Sequence, residues 1–125
     1  MMKATFKIMA TCLLFATACQ NESKNKQDFI PGTYVHSSKG EYGVADDTLI
    51  IQHAGGTSYQ IKQRTTYQAI RDGKLLPKKH KVQNYDAAWD ETKQELDEAI
   101  TGRIYHVDLK NNALIIKQSS YRKIR

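Results

Sequence analysis

The stretch Tyr59-Gln60-Ile61-Lys62-Gln63-Arg64-Thr65-Thr66-Tyr67-Gln68-Ala69 decides the fold class. Tyr59, Ile61, Thr65, Tyr67 and Ala69 recur in one phase, with Gln60, Lys62, Arg64 and Gln68 in the other. A period of two sends alternate side chains to opposite faces of a strand, so this segment reads as a half-buried strand, bent midway. Residues 103 to 109 repeat the pattern with Tyr105, Val107 and Leu109 in phase, and 48 to 51 and 113 to 117 are short β-branched or apolar runs. Turn-forming residues separate these pieces: Ser37-Ser38-Lys39-Gly40, Ala54-Gly55-Gly56, Asp72-Gly73 and Lys110-Asn111-Asn112. The expectation is an all-β antiparallel meander, closing into a small barrel because closure removes exposed strand edges.

One segment reads two ways. Residues 86 to 100 contain good helix formers, with Trp89, Leu96 and Ile100 at nearly helical spacing. The same residues make a hairpin if Asp90-Glu91-Thr92-Lys93 is the turn between Trp89 and Leu96. Continuous pairing in the surrounding meander favours the hairpin over a short helix.

The first eighteen residues fit the plan of a secretory signal: Lys3 and Lys7, an apolar run from Ile8 to Ala16, then small residues. The apolar run is far below the roughly 20 residues of a membrane-spanning helix. Ala16-Thr17-Ala18-Cys19 resembles the bacterial lipobox, with Ala16 where that motif usually has Leu. The resemblance implies cleavage before Cys19 and lipid on its sulfur. An ordinary signal ending Ala-x-Ala, with Cys19 a free thiol, is the alternative. Residues 20 to 28 contain no apolar side chain, so they read as a flexible tether that burial cannot order. The expected division is a signal peptide over 1–18, a lipidated tether over 19–28 and one β-barrel domain over 29–125.

Cys12 leaves with such a signal, which leaves Cys19 alone and rules out an internal disulfide or a cysteine zinc site in the processed chain. The remaining 107 of 125 residues are enough for a self-sufficient core. Without Lys3 and Lys7, the 19 basic residues fall to 17 against 13 acidic, about +4 in all. That excess suits anionic surfaces but lacks the concentrated basic footprint of a nucleic-acid binder.

No catalytic constellation emerges. His36, His53, His80 and His106 lack metal-motif spacing, and Ala54-Gly55-Gly56 lacks the Lys-Ser/Thr of a phosphate loop. No serine sits in a Gly-x-Ser-x-Gly elbow. The acidic residues between Asp86 and Glu98 read as a solvated face. Two candidate sites remain. Tyr34, Tyr59, Tyr67, Trp89 and Tyr105 supply area and a polar handle for a ligand pocket, or else fill the barrel core. Lys74, Lys78, Lys79 and Lys81 offer an anion-contacting loop centred on Pro77-Lys78-Lys79-His80-Lys81.

Phe29-Ile30-Pro31-Gly32-Thr33-Tyr34, Asp47-Thr48-Leu49, Arg71-Asp72-Gly73-Lys74, Trp89-Asp90, Gly102-Arg103-Ile104-Tyr105, Asn111-Asn112-Ala113-Leu114 and Tyr121-Arg122-Lys123-Ile124 resemble small lipoproteins of Bacteroidota, often encoded in conjugative transposons. The opening Gly-Thr-Tyr and closing Tyr-Arg-Lys-Ile are also similar to lipocalin-like β-barrels. The resemblance implies a tethered barrel carried on mobile DNA and brings no catalytic residues. The expected protein is therefore a non-enzymatic interaction module, anchored to the outer membrane by lipid on Cys19, with no cofactor and no metal. Its second partner would be an unknown protein or a small hydrophobic ligand. The alternatives are a lipocalin-like binder of such a ligand and an inhibitor of an envelope hydrolase or protease.

Overall fold

Residues 58 to 71 form one strand whose inward phase is buried at Tyr59, Ile61 and Gln63, while Ser58, Gln60 and Arg64 are exposed. A computed structural model describes residues 24–125 of the chain. The expected signal 1–18, Cys19 and the tether as far as residue 23 lie outside the described residues. Nine strands run in order: β1 (Gly32–Gly40), β2 (Gly43–His53), β3 (Ser58–Arg71), β4 (Lys74–Leu75), β5 (Lys79–Asp90), β6 (Glu95–Glu98), β7 (Ile104–Asp108), β8 (Ala113–Ile116) and β9 (Ser119–Lys123). Every pairing is antiparallel. β9 returns to β1, so eight strands close into a barrel and β4 stays outside it, paired only with the end of β3.

The segment 86–100 is the hairpin, not the helix. β5 and β6 pair from Ala87 with Glu98 to Asp90 with Glu95. Asp90 Oδ1 accepts from the backbone N–H groups of Thr92 and Lys93 at 3.0 and 3.1 Å, which shapes the turn. Gln94 leaves it with φ of 54°. The helical spacing of Trp89 and Leu96 is a coincidence of turn length, since the two face each other across the hairpin.

Three local expectations are corrected. β1 runs through Ser37-Ser38-Lys39-Gly40, and the turn falls at Glu41-Tyr42. Residues 79–81 are strand, not loop, because β3 offers partners to them as far as Tyr67. The last five residues of the expected tether belong to a short helix over 24–29. That helix is held in place by its C-terminal end. Phe29 packs against the core, and Ile30 just beyond it is wholly buried.

The interior divides into two parts. At the helix end, Ile30, Tyr34, Leu49, Ile51, Tyr59, Ile61, Trp89, Leu96, Tyr105 and Leu114 pack against one another. Burying each such side chain stabilises the fold by roughly 1.5–3 kcal/mol. The Tyr34 hydroxyl lies 2.9 and 2.7 Å from the carbonyl oxygens of Phe29 and Ile30 in a three-centre hydrogen bond. Lys123 Nζ sits 4.2 Å from the Phe29 ring centroid and 5.7 Å from that of Tyr34, and donates to the Phe29 carbonyl. These contacts close the barrel end under the helix.

Gly32 lies where this closure is tightest. Its φ is 152°, and a Cβ there would stand 2.3 Å from the Arg125 carbonyl oxygen and 2.6 Å from Lys123 Cε. Thr33 N donates to that same carbonyl at 3.0 Å, so the chain cannot step aside without breaking the seam. Gly32→Ala is expected to lower the unfolding free energy by about 2–3 kcal/mol. Gly40→Ala, where nothing lies within 4 Å, is expected to stay near wild type. Urea titration of both variants followed by Trp89 fluorescence checks the contrast.

Candidate functional site

β1, β2, β3 and β5 are 9 to 14 residues long, whereas β6 to β9 have 4 or 5. The long strands therefore rise past the short ones and leave the end opposite the helix open along one side. Register shows how the inner face changes along this rise. The row Tyr34, Leu49, Gln63, Gln83 is half apolar. Above it come His36, Asp47, Thr65 and Lys81, then Ser38, Ala45, Tyr67 and Lys79.

Hydrogen bonds hold this polar layer together. Arg103 Nη1 donates to Gln63 Oε1 at 2.9 Å, and its guanidinium carbon lies 5.2 Å from the Tyr85 ring centroid. The Tyr85 hydroxyl donates to Gln83 Oε1 at 2.7 Å. Asp47 accepts twice, from Thr65 Oγ1 at 2.6 Å and from the Tyr121 hydroxyl at 3.0 Å. The Tyr121 ring lies 5.0 Å from His36, whose Nδ1 is 3.0 Å from the Ser120 carbonyl oxygen.

Electrostatics here are set by burial. Tyr121 is pushed up by burial and by the Asp47 carboxylate beside it. Burial raises Tyr105 as well, and the Arg103 charge offsets part of that. Its hydroxyl is enclosed and has no partner of hydrogen-bonding geometry. Burial works against the Arg103 charge, but Tyr105, Tyr85 and Tyr121 around it more than compensate, so the guanidinium stays charged.

Above this layer is a groove of about 470 Å³ lined by Ala45, Thr65, Tyr67, Lys79, His80 and Lys81. One side of it is backbone. β3 pairs with β5 from Lys79 to Ala88, but β6 takes up the other edge of β5 only from Ala87 to Asp90. Asp86 O is met by Ala99 N at 3.1 Å. Among the described residues nothing pairs with the other edge of 79–85, which has Lys79 and Lys81 on its inward side.

No family model, curated protein or solved structure matches the chain. The site is therefore read from its own chemistry. It combines fixed positive charge, hydroxyl and amide donors, an aromatic face and a free backbone edge, which together can hold an anionic, extended partner.

The residues expected from sequence separate. Tyr34, Tyr59, Trp89 and Tyr105 are at most 4 % exposed and pack in the core, with Tyr59 also edging a cleft beside the helix, next to Gln27, Pro31 and His53. Tyr67 is 41 % exposed and stands at the mouth. Lys79 and Lys81 reach the groove, whereas Lys74 is on β4 and Lys78 in the connection before β5. Cys19 lies outside the described residues. Arg103, Gln63, Asp47, Tyr85 and Tyr121 are not among the site candidates that the sequence offers, although Asp47, Arg103 and Tyr121 lie in the stretches that resemble the small lipoproteins. Strand phase is the signal that could have found Arg103 and Gln63, which point inward although their side chains are polar.

Glu98 positions Arg103. The carboxylate is 2 % exposed and accepts from the backbone N–H groups of Ile100 and Thr101, both at 2.8 Å, and from Thr101 Oγ1. Its own N–H donates to the Arg103 carbonyl at 2.9 Å. Burial raises the carboxyl, but these donors outweigh it and hold it below its ordinary value. A group whose folded value is depressed stabilises above its unfolded value and loses that contribution as pH falls through the folded one. Glu98→Gln is expected to cost about 1.5–3 kcal/mol at neutral pH. It should also flatten the loss of stability below about pH 4. Urea midpoints of both proteins across pH 7 to about 3 check this.

Proposed function

We propose that this chain is a lipid-anchored envelope lipoprotein whose barrel acts as a non-enzymatic interaction module, accessory to a mobile element. Its partner is an acidic, extended polypeptide segment seated at the barrel mouth. One observation carries the reading: the groove over Tyr67 has Lys79 and Lys81 on the same strand whose backbone edge is unpaired among the described residues. An added strand gains main-chain hydrogen bonds from such an edge, and the flanking lysines select the sign of its side chains.

The anchor rests on the lipobox-like Ala16-Thr17-Ala18-Cys19 and the likeness to small lipoproteins of Bacteroidota. A hydrophobic ligand inside the barrel has less support, because the aromatic residues that would line its pocket pack against one another. Inhibition through a loop at 77–81 also has less support, since residues 79–81 are in a strand.

Two measurements test the reading. Labelled palmitate is expected to enter the wild-type protein and not Cys19→Ala; equal labelling removes the anchor. A photocrosslinking residue placed at Tyr67 in the anchored protein is expected to capture a discrete polypeptide. Lys79→Glu with Lys81→Glu should reduce capture about tenfold, as should raised salt. Capture that ignores both changes would refute the acidic partner.

A further inference from the structure

Among the described residues, Arg103 is a cation in the barrel interior with no acid paired to it. It leaves the connection between β6 and β7, and its guanidinium reaches inward. Nη1 donates to Gln63 Oε1 at 2.9 Å, and the charge lies 5.2 Å from the Tyr85 ring centroid. Gln63 and Tyr85 are buried, and Arg103 is half-buried. A guanidinium carries several N–H donors in a planar fork, and the bond to Gln63 uses one of them. The acids nearby are committed elsewhere. Asp47 accepts from Thr65 Oγ1 and the Tyr121 hydroxyl, and Glu98 accepts from the N–H groups of Ile100 and Thr101. The Tyr105 hydroxyl, wholly buried beside the guanidinium, meets no partner of hydrogen-bonding geometry. A cation drawn into a protein interior is ordinarily paired with an acid, and one amide oxygen with one ring face meets only part of that need.

The place of this cation matters as much as its lack of a partner. β5 runs from the mouth towards the helix end, and β6 meets its edge only from Ala87 to Asp90. At the head of that pairing Ala99 N donates to Asp86 O at 3.1 Å, so the connection 99–103 forms the low rim of the mouth. A strand added along the open edge of 79–85 therefore ends against this rim. Tyr85, the last inward residue of that stretch, is the one whose ring Arg103 covers. Lys79 and Lys81 stand farther out on the same strand, exposed to solvent.

We propose that Arg103 is a carboxylate receptor at the inner end of the mouth and takes one carboxylate of the extended segment through its planar fork. The inference rests on the reading of the mouth as the seat of such a segment, and it gives that segment an acid at a fixed place. A guanidinium meets a carboxylate with two parallel N–H···O bonds, which a lysine ammonium cannot do. The exposed lysines attract the segment without fixing its register. Arg103 fixes it, because Gln63, Tyr85 and the connection tied down by Glu98 hold the fork in place. The carboxylate comes from an acidic side chain or from the segment's own C-terminus. A C-terminus reaches Arg103 only if the segment runs parallel to β5, since β5 itself runs inward from the mouth; a side chain reaches it in either direction.

The test is fluorescence anisotropy of the full chain in detergent with a heptapeptide of alternating glutamate and valine, labelled with fluorescein at its N-terminus. The peptide is used as free acid and as C-terminal amide. The wild type is expected to bind it, Arg103→Gln to weaken binding about tenfold, and Arg103→Lys, which keeps the charge and loses the fork, about fivefold. A loss on amidation as large as that of Arg103→Gln names the C-terminus as the source of the carboxylate, and equal binding of both forms names a side chain. Wild-type affinity in both Arg103 variants, with binding still weakened by Lys79→Glu and Lys81→Glu, overturns the receptor and leaves the reading of the mouth standing. No binding to the wild type overturns both. Should the Arg103 variants fail to fold, the wild type decides. Its Arg103 Nε–H resonance, assigned through the backbone, is expected to move when the peptide is added, and a resonance that stays in place while the peptide binds overturns the proposal on its own.

Discussion

The contact of Lys123 with Phe29 and Tyr34 is what allows this sheet to close. β1 and β9 share only the partners Tyr34 with Lys123 and Val35 with Arg122, the shortest seam in the ring. Two ladder pairs would not hold a barrel shut against the entropy of the chain. The seam is reinforced from both sides. Tyr34 binds the Phe29 and Ile30 carbonyls, and Lys123 lies across both aromatic rings. Gly32 permits the approach because any side chain there would meet the Arg125 carbonyl. Burial of Lys123 lowers its pKa, yet the ring faces and the carbonyl return part of that cost.

With one end shut by apolar packing, the other takes on a different character. Unequal strand length is the cause. Four long strands carry the inner face past the point where β6 to β9 can cover it, so side chains there meet water and must be polar. The layer of Asp47, Gln63, Thr65, Gln83, Tyr85 and Arg103 marks the transition, and its mutual hydrogen bonds let a charged guanidinium sit beside the core. The same shortness of β6 leaves the β5 edge unpaired among the described residues, which makes a groove and a strand template out of one geometric fact. Lysines commonly guard such an edge against self-association. At this mouth they also give it a sign.

The two charged regions of the molecule differ in kind. At the mouth, positive groups are partly exposed, spaced along a strand and free to meet a macromolecule. On the β5–β6 hairpin, the carboxylates of Asp90, Glu95 and Asp97 come within 4.8 Å of one another, with Glu95 buried beside Lys93 and Asp90 tied to the turn N–H groups. Both arise on β5, at opposite ends, because that strand pairs with β3 along its first part and with β6 only at its last four residues.

The period of two in residues 59 to 69, and the turn chemistry at Ala54-Gly55-Gly56, Asp72-Gly73 and Lys110-Asn111-Asn112, determined an all-β meander without help from tertiary contacts. Both signals are local, set by backbone geometry and side-chain alternation. The hairpin at 86–100 needed one further step, continuity of pairing, because propensity there also favours helix. The placement of the pocket aromatics was beyond the sequence. Tyr59 and Tyr67 have the same phase on the same strand, yet one is in the core and the other at the rim, since strand phase says which face and not which height. Residues 24 to 28 look unfoldable taken alone; tertiary contacts order them, the docking of Phe29 and Ile30 under Lys123 together with Lys26 Nζ on Gln94 Oε1. Asp47 with Tyr121, Arg103 with Gln63, and Asp90 with Glu95 and Asp97 are likewise products of register, which joins residues up to 74 positions apart. Which residues form strands was local information. Which strands end early, and therefore what is exposed at the mouth, was decided when the ring closed.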